Sequence, residues 1–313
     1  MKIGKNLFMK LQEKNNLLKK LYKLLLIIDR CTIIKLKDKH YLKIMYRCET
    51  NKKLDLDNPK TFNEKLQWLK LYNRNQMYTK MVDKHDAKEY AEKIIGNKYI
   101  ISTIGVYEKF EDIDFDKLPS EFVIKCTHDS GNVVVCKDKN ELDILSTKKK
   151  INAGLKRNYY YFAREWPYKD IKPRIIIEKL IENEDGTDIK DYKLFCFNGK
   201  VETILVCSNR KGNYKNTNFY NTNWELMPFT RENHTNTKEE ISKPKNLDEM
   251  IQIGKLLSKD IPFVRVDLYE INGSIYFGEL TFFPSAGFEG FKPESWDEKL
   301  GDMLILPNYK VEE

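Results

Sequence analysis

The chain has 313 residues, 41% of them hydrophobic and 33% charged, with 14 glycines and 10 prolines. That length allows one large domain or two smaller ones with a substantial core, and the composition excludes a collagen, a low-complexity linker and a disordered tail. The formal net charge of +8 is uneven, with +11 in residues 1–53 and −3 in the remainder. A basic body built to track phosphates is therefore excluded, and no nucleic-acid partner is expected.

Residues 2–28 read as a basic amphipathic helix, with Leu7, Leu11, Leu18, Leu21 and Leu25 near one face among lysines. Its longest apolar stretch, Leu24 to Ile28, is too short to cross a bilayer and precedes no cleavage site. Two readings stand: docking of residues 1–30 on an anionic membrane surface, or packing on the domain with a solvated lysine face. Asp57 to Lys65 reads as a turn and helix start, because Thr61 and Glu64 have capping-box spacing. A second helix is predicted from Asp86 to Ile95, stopped by Gly96.

The chain then turns to strands. Residues 120–126 and 132–136 are two, joined by a polar loop from Thr127 to Gly131, and a helix follows from about Lys139 to Leu155. Residues 174–178 form an apolar strand. Asn198-Gly199 and Asn272-Gly273 each announce a hairpin, pairing 192–197 with 201–207 and 263–270 with 274–281. A helix from about Leu247 to Leu257 lies between them. This is an α+β pattern with antiparallel hairpins, which argues against a Rossmann fold, and neither glycine-rich nucleotide motif is present.

The six cysteines form no C-x-x-C, and Cys126, Cys196 and Cys207 lie in apolar runs, as buried thiols of a reducing cytosol would. Four histidines make a histidine-rich metal site unexpected.

Several constellations bear on chemistry. Arg265 and Asp267 share a strand face by period-two alternation, and Glu279 returns on the partner strand. Such a charged set is costly to hold without a balancing ion, and two carboxylates suit Mg²⁺; the alternative is a solvated Arg–Asp pair. Lys125 precedes a small polar loop whose N–H groups and Ser130 suit phosphate oxygens. Glu178-Lys179-Leu180-Ile181 is a polar-then-apolar strand exit that suits a nucleobase, and Asp83-Lys84 opens a helix. Asp112-Ile-Asp114-Phe-Asp116 contains D-x-D, the pattern of a glycosyltransferase, or an ordinary acidic turn. The aromatic cluster of Tyr159 to Phe162 with Trp166 is expected to pack a small domain.

The segments Asn58–Lys65, Val82-Asp83-Lys84, Phe122–Gly131, Asp191–Gly199, Val264–Leu268 and Gly278–Pro284 resemble the TupA-like ATP-grasp family over roughly residues 55–305. That family is associated with bacterial cell-surface polysaccharide and teichuronopeptide biosynthesis. The resemblance implies an α+β ATP-grasp fold with two subdomains gripping ATP; the basic helical extension at 1–54 lies outside it. Residues 98–177 would form the lid and 178–313 the larger subdomain. It implies ATP and Mg²⁺, a carboxylated glycan or glycan precursor, and an amino acid or other amine. The location would be cytoplasmic, at the inner face of the membrane. The implied reaction is ATP-dependent amide formation through an acyl phosphate. A glycosyltransferase or a non-catalytic glycan-binding protein are the rivals.

Carried over residue by residue, the resemblance makes Lys84 and Lys125 phosphate-holding lysines, and His128, Ser130, Gly131 and Asn132 part of the loop that closes over them. Glu178, Lys179 and Ile181 would form the adenine hinge. Asp191 and Lys193 resemble an Asp-x-Arg pair, with lysine here. Asp267 and Glu279 would be the Mg²⁺ ligands, Arg265 would steady the acyl phosphate, and Ser285 and Gly287 would meet the carboxylate substrate. Thr281 stands where many such enzymes place Asn, which leaves the number of metal ions open.

Overall fold

The computed structural model describes residues 20, 24, 36–208, 216–234, 236–237 and 241–308. The amphipathic segment 2–28, apart from Lys20 and Leu24, and Cys31 lie outside the described residues. Within them, no helix is long and apolar enough to cross a membrane. Of the cysteines described, Cys48, Cys126, Cys136 and Cys196 are free and buried, and Cys207 is free and half-buried.

Two antiparallel sheets organise the chain. The smaller has the order β1-β4-β2-β3, with β1 Thr103–Tyr107, β2 Phe122–Cys126, β3 Val133–Cys136 and β4 Ile175–Lys179. The larger has the order β10-β9-β5-β6-β7, with β5 Lys190–Phe197, β6 Lys200–Ser208, β7 Asn216–Tyr220, β9 Phe263–Ile271 and β10 Ser274–Thr281. A short pair, β8 Thr230–Arg231 and β11 Phe291–Lys292, completes the strands. A lid boundary at 177/178 would divide β4, which continues to Lys179 within the smaller sheet.

Local rules explain the elements. Both Asn-Gly turns have positive φ at both residues, as a two-residue type I′ hairpin requires. Thr61 accepts from the Glu64 N–H, and Glu64 accepts from the Thr61 N–H, so the helix Phe62–Tyr72 starts on a reciprocal capping box. The helix expected from Lys139 is a 3₁₀ turn followed by a separate helix, Ile144–Leu155. Asp143 causes the break, accepting from the Ser146 N–H at 2.9 Å as an N-cap.

Each sheet has its own core. Phe122, Ile124, Cys126, Ile175 and Ile177 are fully buried beneath the smaller sheet, closed by Ile151 of the Ile144–Leu155 helix. The larger core gathers around Phe62, whose ring lies edge-on to Phe263 at 4.9 Å and near Phe195, Phe197 and Phe291. The helix Leu247–Leu257 lies against this sheet through Gly254, where a Cβ would come within 2.8 Å of Leu194 and Val201. The helix Asp38–Thr50 adds Tyr41, Leu42, Met45 and Tyr46 as a buried face, so residues 38–50 pack on the domain.

Candidate active site

A cleft of about 640 Å³ opens beside the larger sheet. One face of that sheet carries Lys193, Arg265, Asp267, Glu279 and Thr281 in register. Lys193 is opposite Asp267 across β5/β9, and Glu279 is opposite Asp267 across β10/β9. Plain alternation would have missed the second pairing. Phe277 is paired with Leu268, so an unbroken ladder would set Glu279 opposite Val266 and on the other face. A β-bulge at Gly278 shifts the register by one and turns Glu279 to the Asp267 side.

These side chains form one charged network. Arg265 donates through Nε to Asp267 Oδ1 at 2.6 Å and through Nη2 to Oδ2 at 2.7 Å. Lys193 lies between Asp191 at 2.6 Å and Asp267 at 2.5 Å. Arg265 also reaches Thr281 Oγ1 at 3.1 Å and Glu279 Oε1 at 3.5 Å. Burial opposes the charges of Asp267, Arg265 and Lys193. The neighbours outweigh it: Asp267 is held below the ordinary carboxylate value by Arg265 and Lys193, and both cations are pushed up by Asp267.

Asp267 is thus fully engaged by protein cations, while the Glu279 side chain is 46% exposed and lines the cleft. Among the described residues no cluster of three or more His, Cys, Asp or Glu stands ready for a metal. Two carboxylates in register, one facing the cleft, nevertheless fit Mg²⁺, which takes one or two carboxylates plus substrate phosphates rather than an all-protein cage. Thr281 donates its hydroxyl to Glu279 at 3.5 Å and accepts from Arg265, so it supports the carboxylate from behind.

The smaller sheet supplies a second charged group. Glu178 on β4 is buried between Lys125 of β2, at 2.5 Å, and Lys88, which contacts its other oxygen. Burial pushes its carboxyl up, but the two lysines outweigh that and hold it below the ordinary value. Lys88 was not legible as a site residue, although it stands on the buried face of the helix Asp86–Ile95 beside Ala87 and Ala91. Beyond β4, Lys179 is exposed and its N–H is taken by the Ser102 carbonyl, while Ile181 is half-buried.

Lys84 lines the cleft and donates to the Asp129 carbonyl. Its N–H donates to Thr127 O at 2.9 Å, which ties the start of the Asp86–Ile95 helix to the loop after β2. Burial pulls its pKa down. Of the loop residues, Ser130 and Asp129 face the cleft. His128 turns away, its Nε2 3.1 Å from the Arg157 carbonyl. Asn132 donates to the Asp129 carboxylate, and Gly131 takes φ +94°, a conformation only glycine enters freely.

The turn Pro284–Gly287 forms another wall. Ser285, Ala286 and Gly287 are all left-handed, at φ +48°, +54° and +65°. Ser285 lines the cleft, accepts from Arg231 at 2.9 Å and donates to Glu289 at 2.5 Å. Gly287 faces inward instead, where a Cβ would fall 2.5 Å from Gln67 Nε2. Further walls include Met45 and Glu49 of the Asp38–Thr50 helix, and Tyr159, Phe162, Glu165 and Tyr168. Of the aromatic cluster expected to be packing, Tyr160 and Trp166 are buried in the larger core, whereas Tyr159 and Phe162 face the cleft. The D-x-D segment does not: Asp112, Asp114 and Asp116 are exposed, and Asp114 caps a 3₁₀ turn and pairs with Lys117 at 2.8 Å.

A family model described as TupA-like ATP-grasp matches residues 64–305. The chain belongs to the TupA-like ATP-grasp family, and its α+β architecture is the ATP-grasp fold. No curated protein matches the chain. Among solved structures it is similar to the D-alanine–D-alanine ligase of Bacillus anthracis complexed with ATP, at 18% identity and a TM-score of 0.41. That match covers 72% of this chain and 63% of the ligase, so the chain spans less than two thirds of it. The D-alanine–D-alanine ligase of Helicobacter pylori matches at 15% identity and a TM-score of 0.43, over 78% of this chain and 69% of that one. An ADP complex of N5-carboxyaminoimidazole ribonucleotide synthetase matches at 17% identity and a TM-score of 0.40, over 78% and 55%.

Proposed function

We propose that the protein is an ATP-dependent carboxylate–amine ligase that forms an amide through an acyl phosphate, joining an amino acid to a uronic-acid carboxylate of a cell-surface polysaccharide or its precursor. The observation that carries this reading is the convergence of Lys84, Ser130, Arg265 and Glu279, from different parts of the chain, on one cleft. Membership of the ATP-grasp family supports ATP as the phosphoryl donor.

In this reading a carboxylate oxygen of the acceptor attacks the γ-phosphorus, the bond to the bridging oxygen breaks and ADP leaves. The amine lone pair then attacks the acyl carbon, the bond to the phosphate oxygen breaks, and phosphate departs as nitrogen loses a proton. The protein's task is to neutralise charge on the transferring group and exclude water. Lys84 and Arg265 supply positive charge at the cleft wall, and Lys125 does so from β2. Lys193 acts through Asp267, holding the Arg265 partner in place. Glu279, with Asp267 behind it, would hold Mg²⁺, which when bound neutralises phosphate charge. Glu178, Lys179 and Ile181 would flank the adenine, Ile181 through its backbone. The loop from His128 to Asn132 would cover the phosphates, and Ser285 would meet the acceptor carboxylate. On charge alone, residues 1–30 would contact an anionic membrane at the inner face, a reading that loss of liposome flotation in a 31–313 protein would support.

The test is ADP release from ATP and Mg²⁺ with glucuronate or galacturonate and a panel of amino acids. Wild type should release ADP only with both partners present, and Glu279→Gln should abolish it. UDP-sugar hydrolysis without ATP binding would favour the glycosyltransferase, against which the exposed D-x-D turn already counts.

A further inference from the structure

The cleft is chemically two-sided. The side built by Lys84, the loop after β2 and strands β9 and β10 holds both of its lining cations, Lys84 and Arg265. The side built by the Asp38–Thr50 helix and the segment 159–168 contributes carboxylates and rings without a lining cation. Glu165 is 4% exposed, yet its side chain lines the cleft and no hydrogen-bond donor reaches its carboxylate among the described residues. Burial pushes its carboxyl up to about 7 against the nearby Lys70 charge, so a cation bound in the cleft would restore its charged form.

Its surroundings narrow the partner. Tyr159 and Tyr168 stand with ring centroids 5.1 Å apart, and Phe162 lies 6.2 Å from Tyr159. The field of Glu165 reaches both tyrosines, whose hydroxyls burial pushes up, Tyr159 to about 12. Ring faces and a carboxylate together attract a cation and repel an anion. Glu49 adds a second carboxylate from the last turn of its helix, where the helix dipole disfavours negative charge. The cations behind this wall are occupied: Lys70 Nζ donates to Gln67 Oε1 at 3.0 Å, Ala163 O at 3.0 Å and Ala286 O at 2.8 Å, and the buried Arg164 stacks on the Tyr41 ring at 3.8 Å and pairs with Asp38 at 3.2 Å.

We propose that Glu165, flanked by Tyr159, Phe162 and Tyr168, is the docking site for a primary ammonium group next to an apolar or aromatic carbon, which holds the amine substrate in the cleft. This rests on the ligase reading above and specifies its amine side.

The experiment titrates the full chain with benzylammonium and with neutral benzyl alcohol by ligand-observed NMR, and measures ATP affinity in the same preparations. Wild type should prefer benzylammonium at least tenfold, and Glu165→Gln should erase that preference while ATP affinity holds. Equal affinity of wild type for the two probes, or an unchanged preference in Glu165→Gln, would overturn the site. Should Glu165→Gln fail to fold, contacts between the probe ring and Tyr159 or Tyr168 in wild type decide, and their absence overturns the site. ATP binding without an ammonium preference would overturn this inference alone. An ammonium preference without ATP binding would support the site and overturn the ligase reading.

Discussion

Lys70, fully buried, gives a hydrogen to the Ala286 carbonyl at 2.8 Å, on the inner side of the left-handed turn whose Ser285 lines the cleft. Gln67 adds bonds to Ala286 O at 3.1 Å and Gly287 O at 2.8 Å. Three consecutive left-handed residues cost roughly 1–2 kcal/mol each for those with a Cβ. Lys70 and Gln67 hold that turn from behind by fixing its carbonyls. Burial pulls Lys70 down to about 7, but its three acceptors need three N–H groups, and only the ammonium has three.

Lys70→Met should therefore destabilise despite its apolar side chain, because it leaves the Ala163 and Ala286 carbonyls without that donor and Glu165 without its nearby positive charge. The expected loss is about 2–4 kcal/mol, read as a lower urea midpoint at unchanged slope. A neutral or stabilising result would show that the ammonium does not hold the turn.

Glu178 and Asp267 both have carboxyl pKa values held below the ordinary range. A depressed carboxyl adds stability that is present above its unfolded pKa and lost as pH falls through its folded value. The contribution of these two carboxyls should thus be constant near neutrality and be lost below about pH 4. Glu178→Gln should cost about 3–5 kcal/mol at pH 7 by leaving Lys88 and Lys125 without their shared counter-charge. It should also shallow the acid limb, as read from urea midpoints between pH 3 and pH 7.

Gly278 makes the bulge that aligns Glu279 with Asp267, and a Cβ there would lie 3.0 Å from the Asp267 carbonyl oxygen and from the Tyr269 ring. Gly278→Val should move Glu279 by a fraction of an ångström. Turnover should fall by roughly 10- to 100-fold while thermal stability changes little. Equal losses in activity and stability would make the bulge a packing feature only.

Much of this was legible in sequence because local chemistry writes it there. The capping box of Thr61 and Glu64, the stop at Gly96 and both Asn-Gly hairpins depend on residues within a few positions of one another. Other features are long-range and leave no local mark. Lys70 and Lys88 look like ordinary helix lysines until Ala286 and Glu178 arrive from 216 and 90 residues away. The Asp38–Thr50 helix was hidden by the basic count around it, though Tyr41, Leu42, Met45 and Tyr46 already had helical spacing. Tyr159 and Phe162 read as packing together with the core residues Tyr160 and Trp166, because ring density alone does not distinguish a core from a cleft wall. The bulge at Gly278 was invisible because its register is set by the partner strand.

The central claim is that a carboxylate is phosphorylated in this cleft before an amine displaces phosphate. The direct measurement supplies ATP, Mg²⁺, an amino acid and a uronate carrying ¹⁸O in its carboxylate, and follows the label by mass spectrometry of the released phosphate. One ¹⁸O should appear in each phosphate formed, and Arg265→Ala should suppress its formation. ADP and amide formed with no label in the phosphate would contradict the acyl-phosphate route.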